Sequence, residues 1–154
     1  MELSEILTQQ AVVADLRVTS KKQALQELAE RAAKLSGLHE RQIFDVLLER
    51  ERLGTTGVGS GIAIPHGKLA GLKKLHGVFA RLSTPIDFEA IDDRPVDLIF
   101  LLLAPETAGA DHLKALARVS RLLRDQAMCE KLRRTDNADA LYLLLTERAA
   151  SDAA

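Results

Sequence analysis

Six apolar residues in a row, Leu98-Ile99-Phe100-Leu101-Leu102-Leu103, constrain this chain more than any other feature. A run of this kind is too short to span a bilayer, and it lacks the alternation of a strand with one wet face. It reads as a strand covered on both sides, which requires helices above and below a sheet containing parallel pairs. The sequence provides helical patterns before and after it. Ser20 with Gln23 three residues on forms a capping box ahead of Ala24, Leu25, Leu28, Ala32 and Leu35, and Gly37 stops that helix. A second helix is expected over residues 40–52, with Ile43, Phe44, Leu47 and Leu48 inward and Gly54 at its end. After the strand, Asp111 is expected to cap a helix that buries Leu113, Leu116, Ala117 and Leu123. Asp125 is expected to cap a second, and Asp136 or Asn137 a third running to Leu145. Between these flanks lie β-type runs at 62–64, 77–82 and 96–103, with turns at Thr84-Pro85 and Asp92-Asp93. The expected fold is α/β, a three-layer α/β/α arrangement with a central mixed sheet.

At 154 residues the chain is expected to be one domain, residues 1–154, with a frayed tail at 149–154. A net charge of −1, no Trp and one Tyr argue against a nucleic-acid surface. No apolar run reaches a membrane span, and Met1-Glu2-Leu3-Ser4-Glu5 has no basic leader, so membrane insertion and secretion are not expected. The single cysteine, Cys129, rules out an internal disulfide and suits a reducing cytoplasm, and its helical setting beside Met128 and Leu132 suggests packing.

Thr56-Gly57-Val58-Gly59-Ser60-Gly61-Ile62-Ala63-Ile64-Pro65-His66-Gly67-Lys68 holds the chemistry. Pro65 fixes its own φ and restricts Ile64 to extended conformations, while Gly67 is expected to let the chain turn after the imidazole. A histidine framed in this way has a rigid backbone behind it and an open face in front, as a nucleophilic or phosphate-carrying imidazole requires. The upstream glycines offer backbone N–H groups that an anion could approach. The competing reading is a strand ending in a turn with an incidental histidine. The glycines do not form a dinucleotide fingerprint, no Gly-Lys-Ser/Thr phosphate loop follows, and there is no Gly-x-Ser-x-Gly elbow. ATP-dependent kinase and serine hydrolase chemistry are therefore disfavoured. His39 and His76 read as solvated, and the four histidines lack metal-ligand spacing, so no metal and no cofactor is expected.

The segment beginning at Glu51, continuing through Gly57, Gly59 and Gly61 and ending in Pro65-His66-Gly67, resembles the active-site signature of the type-2 EIIA proteins. These are the fructose/mannitol-type and nitrogen-related EIIA domains of the phosphoenolpyruvate-dependent phosphotransferase system. The resemblance extends through Gly77-Val78-Phe79-Ala80-Arg81-Leu82, through residues 88–100 and through Asp111-His112-Leu113. It implies that His66 is the phosphoryl acceptor, forming tele-phosphohistidine, and that His112 is a second active-site histidine. It also implies that Arg50 stabilises the phosphate. For His112 the residue-level alternative is an exposed histidine at a helix start. For Arg50 it is an arginine offsetting the helix dipole, and Lys68, Ser60 and Thr56 are as well explained as loop surface. The resemblance further implies a cytoplasmic phosphocarrier loaded by an HPr/NPr-like histidine phosphocarrier protein. Its nitrogen-related branch implies regulatory targets, potassium transport or sensor proteins among them. No segment of the sequence resembles a sugar-phosphorylating EIIB or a membrane EIIC domain. The alternatives are a sugar-specific EIIA serving a separate EIIB and a protein-binding domain whose histidine is never phosphorylated.

Overall fold

The computed structural model describes residues 1–147; the expected frayed tail at 149–154 lies outside the described residues. Short 3-10 turns at Leu3–Glu5 and Gln9–Ala11 lead into β1 (Val12–Leu16). Helices α1 (Lys21–Ser36) and α2 (Glu40–Arg52) follow, then β2 (Gly57–Gly59), β3 (Ile62–Ala63), β4 (His66–Leu69), β5 (His76–Ile86) and β6 (Val96–Pro105). Helices α3 (Gly109–Arg124), α4 (Gln126–Arg133) and α5 (Ala138–Thr146) complete the chain.

The sheet is mixed. β6 pairs antiparallel with β5, which pairs parallel with β1 at the far edge. On its other side β6 pairs parallel with β3 at Leu98 and Ile99, then with β4 from Leu102 to Pro105. β3 and β4 thus share one line along β6, interrupted at Pro65, which has no N–H to donate. The Leu102 N–H still donates to the Pro65 carbonyl at 2.9 Å, which keeps the line in register across the break.

Residues 98–103 of β6 are all fully buried, as a strand between two helical layers must be. The two layers can be read from β4. A Cβ on Gly67 would come within 2.6 Å of the Val46 Cγ1 of α2, while the neighbouring His66 turns its ring to His112 of α3. Successive strand residues face opposite sides, so α2 and α3 cover opposite faces. α1 packs with α2, and α4 and α5 continue the layer begun by α3.

Local signals placed most element ends. Ser20 accepts from the Gln23 N–H at 3.1 Å, and the Gln23 side chain reaches back to Thr19 rather than to Ser20 itself. Gly37 closes α1 at φ +79°, Asp125 caps α4 and, of the two expected candidates, Asn137 caps α5. Five expectations are corrected. Asp111 is not the cap of α3; Ala108 occupies that position without a side-chain bond, and Asp111 lies within the first turn. The buried stripe of α3 is His112, Ala115, Val119 and Leu123, one step round from the expected face, so Leu113 is 69% exposed. Thr84-Pro85 makes no turn: β5 runs through it, and Pro85 falls where the register with β6 is broken. Gly67 makes no turn either; it is glycine because Val46 fills the space of a side chain. His76 is half-buried at the start of β5 rather than solvated.

Candidate functional site

β4 and α3 bring His66 and His112 together. Their ring centroids are 5.8 Å apart and the rings meet edge to face at 66°. His66 is half-buried, and its Nδ1 lies 2.9 Å from the Ile64 carbonyl oxygen. A carbonyl only accepts, so Nδ1 carries the proton and the Nε2 lone pair is left free. Pro65 and the Leu102 bond fix the backbone that carries this ring and its acceptor.

His112 is buried, 7% exposed, because the inward stripe of α3 passes through it. Its Nε2 has no hydrogen-bond partner within the protein. Burial, and then the neighbouring His66 and Lys68, push its pKa below the ordinary 6.5, so the ring is neutral near pH 7. Lys68, two residues along β4, shares the His66 face and places an exposed cation beside the pair. His76 is also shifted down, by burial first and then by Lys74. Between its folded and unfolded pKa, such a histidine binds fewer protons folded than unfolded, so stability rises with pH through that window. It is complete above 6.5 and is lost as pH falls through the folded value. The urea midpoint is expected to decline on acidification below pH 6.5, with His112→Gln and His76→Gln each removing part of the decline.

Arg50 is not brought onto either imidazole; its Nη1 donates to the Gly54 carbonyl at 2.8 Å. The Gln42 side chain donates to the Ala70 carbonyl and Val46 packs on Gly67, so α2 runs antiparallel to β4. Its last turn, carrying Arg50, therefore points toward the His66 end of that strand.

The glycine segment does not form an anion cradle. The Thr56 and Gly57 N–H groups donate to Glu51 and Thr55 side chains, and the Ser60 N–H donates to Asp92 at 2.9 Å. Ser60 and Gly61, at φ +57° and +82°, instead form the two-residue turn of the β2–β3 hairpin. Gly57 is required because a Cβ would meet the Ala90 backbone at 2.8 Å.

Glu51 has a role that the sequence reading missed. Its carboxylate, 4% exposed, accepts from the Thr56 N–H and hydroxyl and pairs with Lys21 Nζ at 2.9 Å. It ties the end of α2 to the start of α1 and to the strand leading to His66. Two signals pointed to it. Ile43, Leu47 and Glu51 recur every four residues on the buried stripe, and an acid in the last turn of a helix opposes the dipole unless it is paired. Among the described residues no group of three or more His, Cys, Asp or Glu side chains is placed to hold a metal ion, and no helix is long and apolar enough to cross a membrane. Cys129 is buried, its Sγ donates to the Leu123 carbonyl, and burial raises its pKa, all consistent with packing.

Comparisons with known proteins agree with this architecture. The family model described as "Phosphoenolpyruvate-dependent sugar phosphotransferase system, EIIA 2" matches residues 5–148. A nitrogen regulatory protein of Bradyrhizobium diazoefficiens is 61% identical over 145 residues, covering 94% of this chain and 95% of that protein. A fructose-specific EIIA component of Haloferax volcanii is 39% identical over 129 residues, 83% of this chain and 84% of its own. The crystal structure of the nitrogen regulatory protein IIA-Ntr of Neisseria meningitidis superposes with a TM-score of 0.89 at 38% identity, covering 94% of this chain and 99% of that one. With a mixed sheet between helical layers, two facing histidines and a family match over nearly its whole length, the chain belongs to the type-2 EIIA family of the phosphotransferase system, and its relatives include nitrogen regulatory EIIA proteins.

Proposed function

We propose that this protein is a cytoplasmic phosphocarrier whose His66 accepts a phosphoryl group at Nε2 from an HPr/NPr-like histidine phosphocarrier protein. The observation that carries the reading is the Nδ1–H of His66 held on the Ile64 carbonyl at 2.9 Å, which leaves Nε2 as the only free lone pair of the ring. In the transfer, the donor's N–P bond breaks as the bond from His66 Nε2 to phosphorus forms. The donor imidazole leaves with the electron pair of its broken bond, and the His66 proton stays on Nδ1 throughout. Catalysis here is positioning and charge stabilisation. A neutral His112 donates a ring N–H to a phosphoryl oxygen, Lys68 adds a nearby positive charge, and Arg50 swings from Gly54 to the phosphoryl group when it arrives.

Phosphorylation places a dianion on the half-buried His66 beside the exposed Lys68, and this change of charge gates regulatory partners, potassium transport or sensor proteins among them. The 61% identity to a nitrogen regulatory protein favours this reading over sugar transfer to a separate EIIB. The test is incubation with phosphoenolpyruvate and the upstream relay proteins, followed by mapping of the acid-labile phosphate; loading of His66 supports the reading, and loading elsewhere overturns it.

The supporting residues separate kinetically. His112→Gln keeps an amide donor in poorer placement and should retain some transfer, slowing single turnover by at most roughly tenfold to a hundredfold, the cost of losing one charge-assisted hydrogen bond outright. Arg50→Lys keeps the charge without the fork and should cost less than Arg50→Ala. Wild-type rates for both His112→Gln and Arg50→Ala would remove these residues from the mechanism.

A further inference from the structure

Between the β2–β3 hairpin and helices α3 and α4 lies a cavity of about 660 Å³, which is the size of a cofactor or nucleotide site. The phosphocarrier reading uses the Ile64 carbonyl at its edge but none of its polar side chains. Four arginines, Arg94, Arg121, Arg124 and Arg133, line it, against a single carboxylate, Glu130. Arg133 is committed: it grips Asp97 through Nε at 2.9 Å and Nη2 at 3.0 Å, donates to the Ser60 carbonyl at 2.8 Å and pairs with Glu130. That clamp fastens the hairpin to α4, and it requires Gly61, since a Cβ there would sit 2.5 Å from the guanidinium. The wall is therefore built before any ligand arrives.

The other three guanidinium groups have no hydrogen bond or ion pair among the described residues; Arg94 only feels the charge of Asp92 nearby. Glu130, the one carboxylate in the lining, is already engaged with Arg133. Three uncommitted forks around one concavity match several anionic oxygens, and Arg favours phosphate in bidentate geometry. The lining also has an apolar part, made of Ile62 and Ile64 from the sheet and Leu123 and Cys129 from α3 and α4, each at most 5% exposed. A ligand that satisfies both parts carries two or more phosphates on a flat, weakly polar body.

We propose that this pocket binds a nucleoside polyphosphate, with its phosphates on Arg94, Arg121 and Arg124 and its base against the apolar wall. The site is separate from His66 and stands whether or not that histidine is phosphorylated. No chemistry on the nucleotide is implied, only occupancy of the face that His66 shares.

The test is a nuclear magnetic resonance titration of amide-labelled full-length protein with GTP, ATP, inorganic tripolyphosphate and adenosine as probes. GTP or ATP should produce saturable shifts at Ser60, Arg94, Arg121 and Arg124. Tripolyphosphate should bind more weakly and adenosine not at all over the same range, and affinity should fall steeply with added salt. Arg121→Glu with Arg124→Glu should weaken binding by about tenfold or more, while His66→Ala leaves it unchanged. These positions are exposed, so the fold should survive, and the milder Arg94→Gln gives a second reading. Absence of saturable shifts up to roughly 5 mM would overturn the proposal, as would shifts centred on His66 and Lys68 or unaltered affinity in the double variant. Slowed phosphoryl transfer from the carrier in that variant, with no probe bound by the wild type, would also overturn it and assign the arginines to protein docking.

Discussion

His66→Gln is expected to abolish phosphoryl acceptance while leaving the fold and melting temperature nearly intact. Glutamine approximates the reach of the half-buried ring but has no basic nitrogen lone pair, since the amide pair is delocalised into the carbonyl. The nucleophile is therefore removed rather than weakened. In the proposed mechanism the remaining His112, Lys68 and Arg50 would hold a phosphoryl group but not accept one in the same geometry. Measured as label transferred from a phosphorylated carrier in a single turnover, the signal should fall to background. The ring's one recorded hydrogen bond is to Ile64 within its own segment, so thermal unfolding should shift little.

The second large effect is on stability, at Glu51. Glu51→Ala should destabilise the protein by about 3–5 kcal/mol, the usual result of removing one partner of a buried ion pair. The loss leaves Lys21, whose side chain is only 16% exposed, without its 2.9 Å partner. The neighbouring Glu89, at 3.8 Å and largely in solvent, is a poor substitute. It also strands the Thr56 hydroxyl and N–H, both in a residue only 3% exposed. For a chain of this size that corresponds to roughly 10 °C in melting temperature. Glu51→Gln retains an acceptor for Thr56 but not the charge, and should fall between the wild type and alanine. Equal stability of all three in urea unfolding would mean that the Lys21–Glu51–Thr56 network does not hold the loop.

The layered architecture was legible because residues 98–103 admit only a doubly covered strand, and because Ser20, Gly37, Asp125 and Asn137 act locally. Positions whose reasons lie across the fold were harder to read. Leu113 and His112 are adjacent, and sequence periodicity alone favours burying the leucine. The observed phase of α3 buries the histidine instead, because Ala115, Val119 and Leu123 form the stripe that fits the sheet. Gly67 reads as a turn residue and Gly57 as part of an anion-facing backbone, but both are close-packing residues, and the atoms that forbid a side chain belong to Val46 and Ala90, far away in sequence. β2 is absent from the expected β-type runs because its glycines carry little strand propensity, and its pairing comes from the hairpin turn at Ser60 and Gly61. β1 has only weak alternation and is held by its pairing with β5. His66 stands out as a candidate because Pro65 on one side and Gly67 on the other mark it in the chain itself. The Arg133–Asp97 clamp left no such mark.

The central claim is that His66 carries phosphate on Nε2, and the most direct measurement is nitrogen and phosphorus magnetic resonance of histidine-labelled protein after loading through the phosphoenolpyruvate relay. The account predicts one acid-labile phosphoramidate, with phosphorus coupled to Nε2 of His66 and the proton retained on Nδ1, donated to the Ile64 carbonyl. Phosphate on Nδ1 of His66, or on His112, His39 or His76, would contradict it.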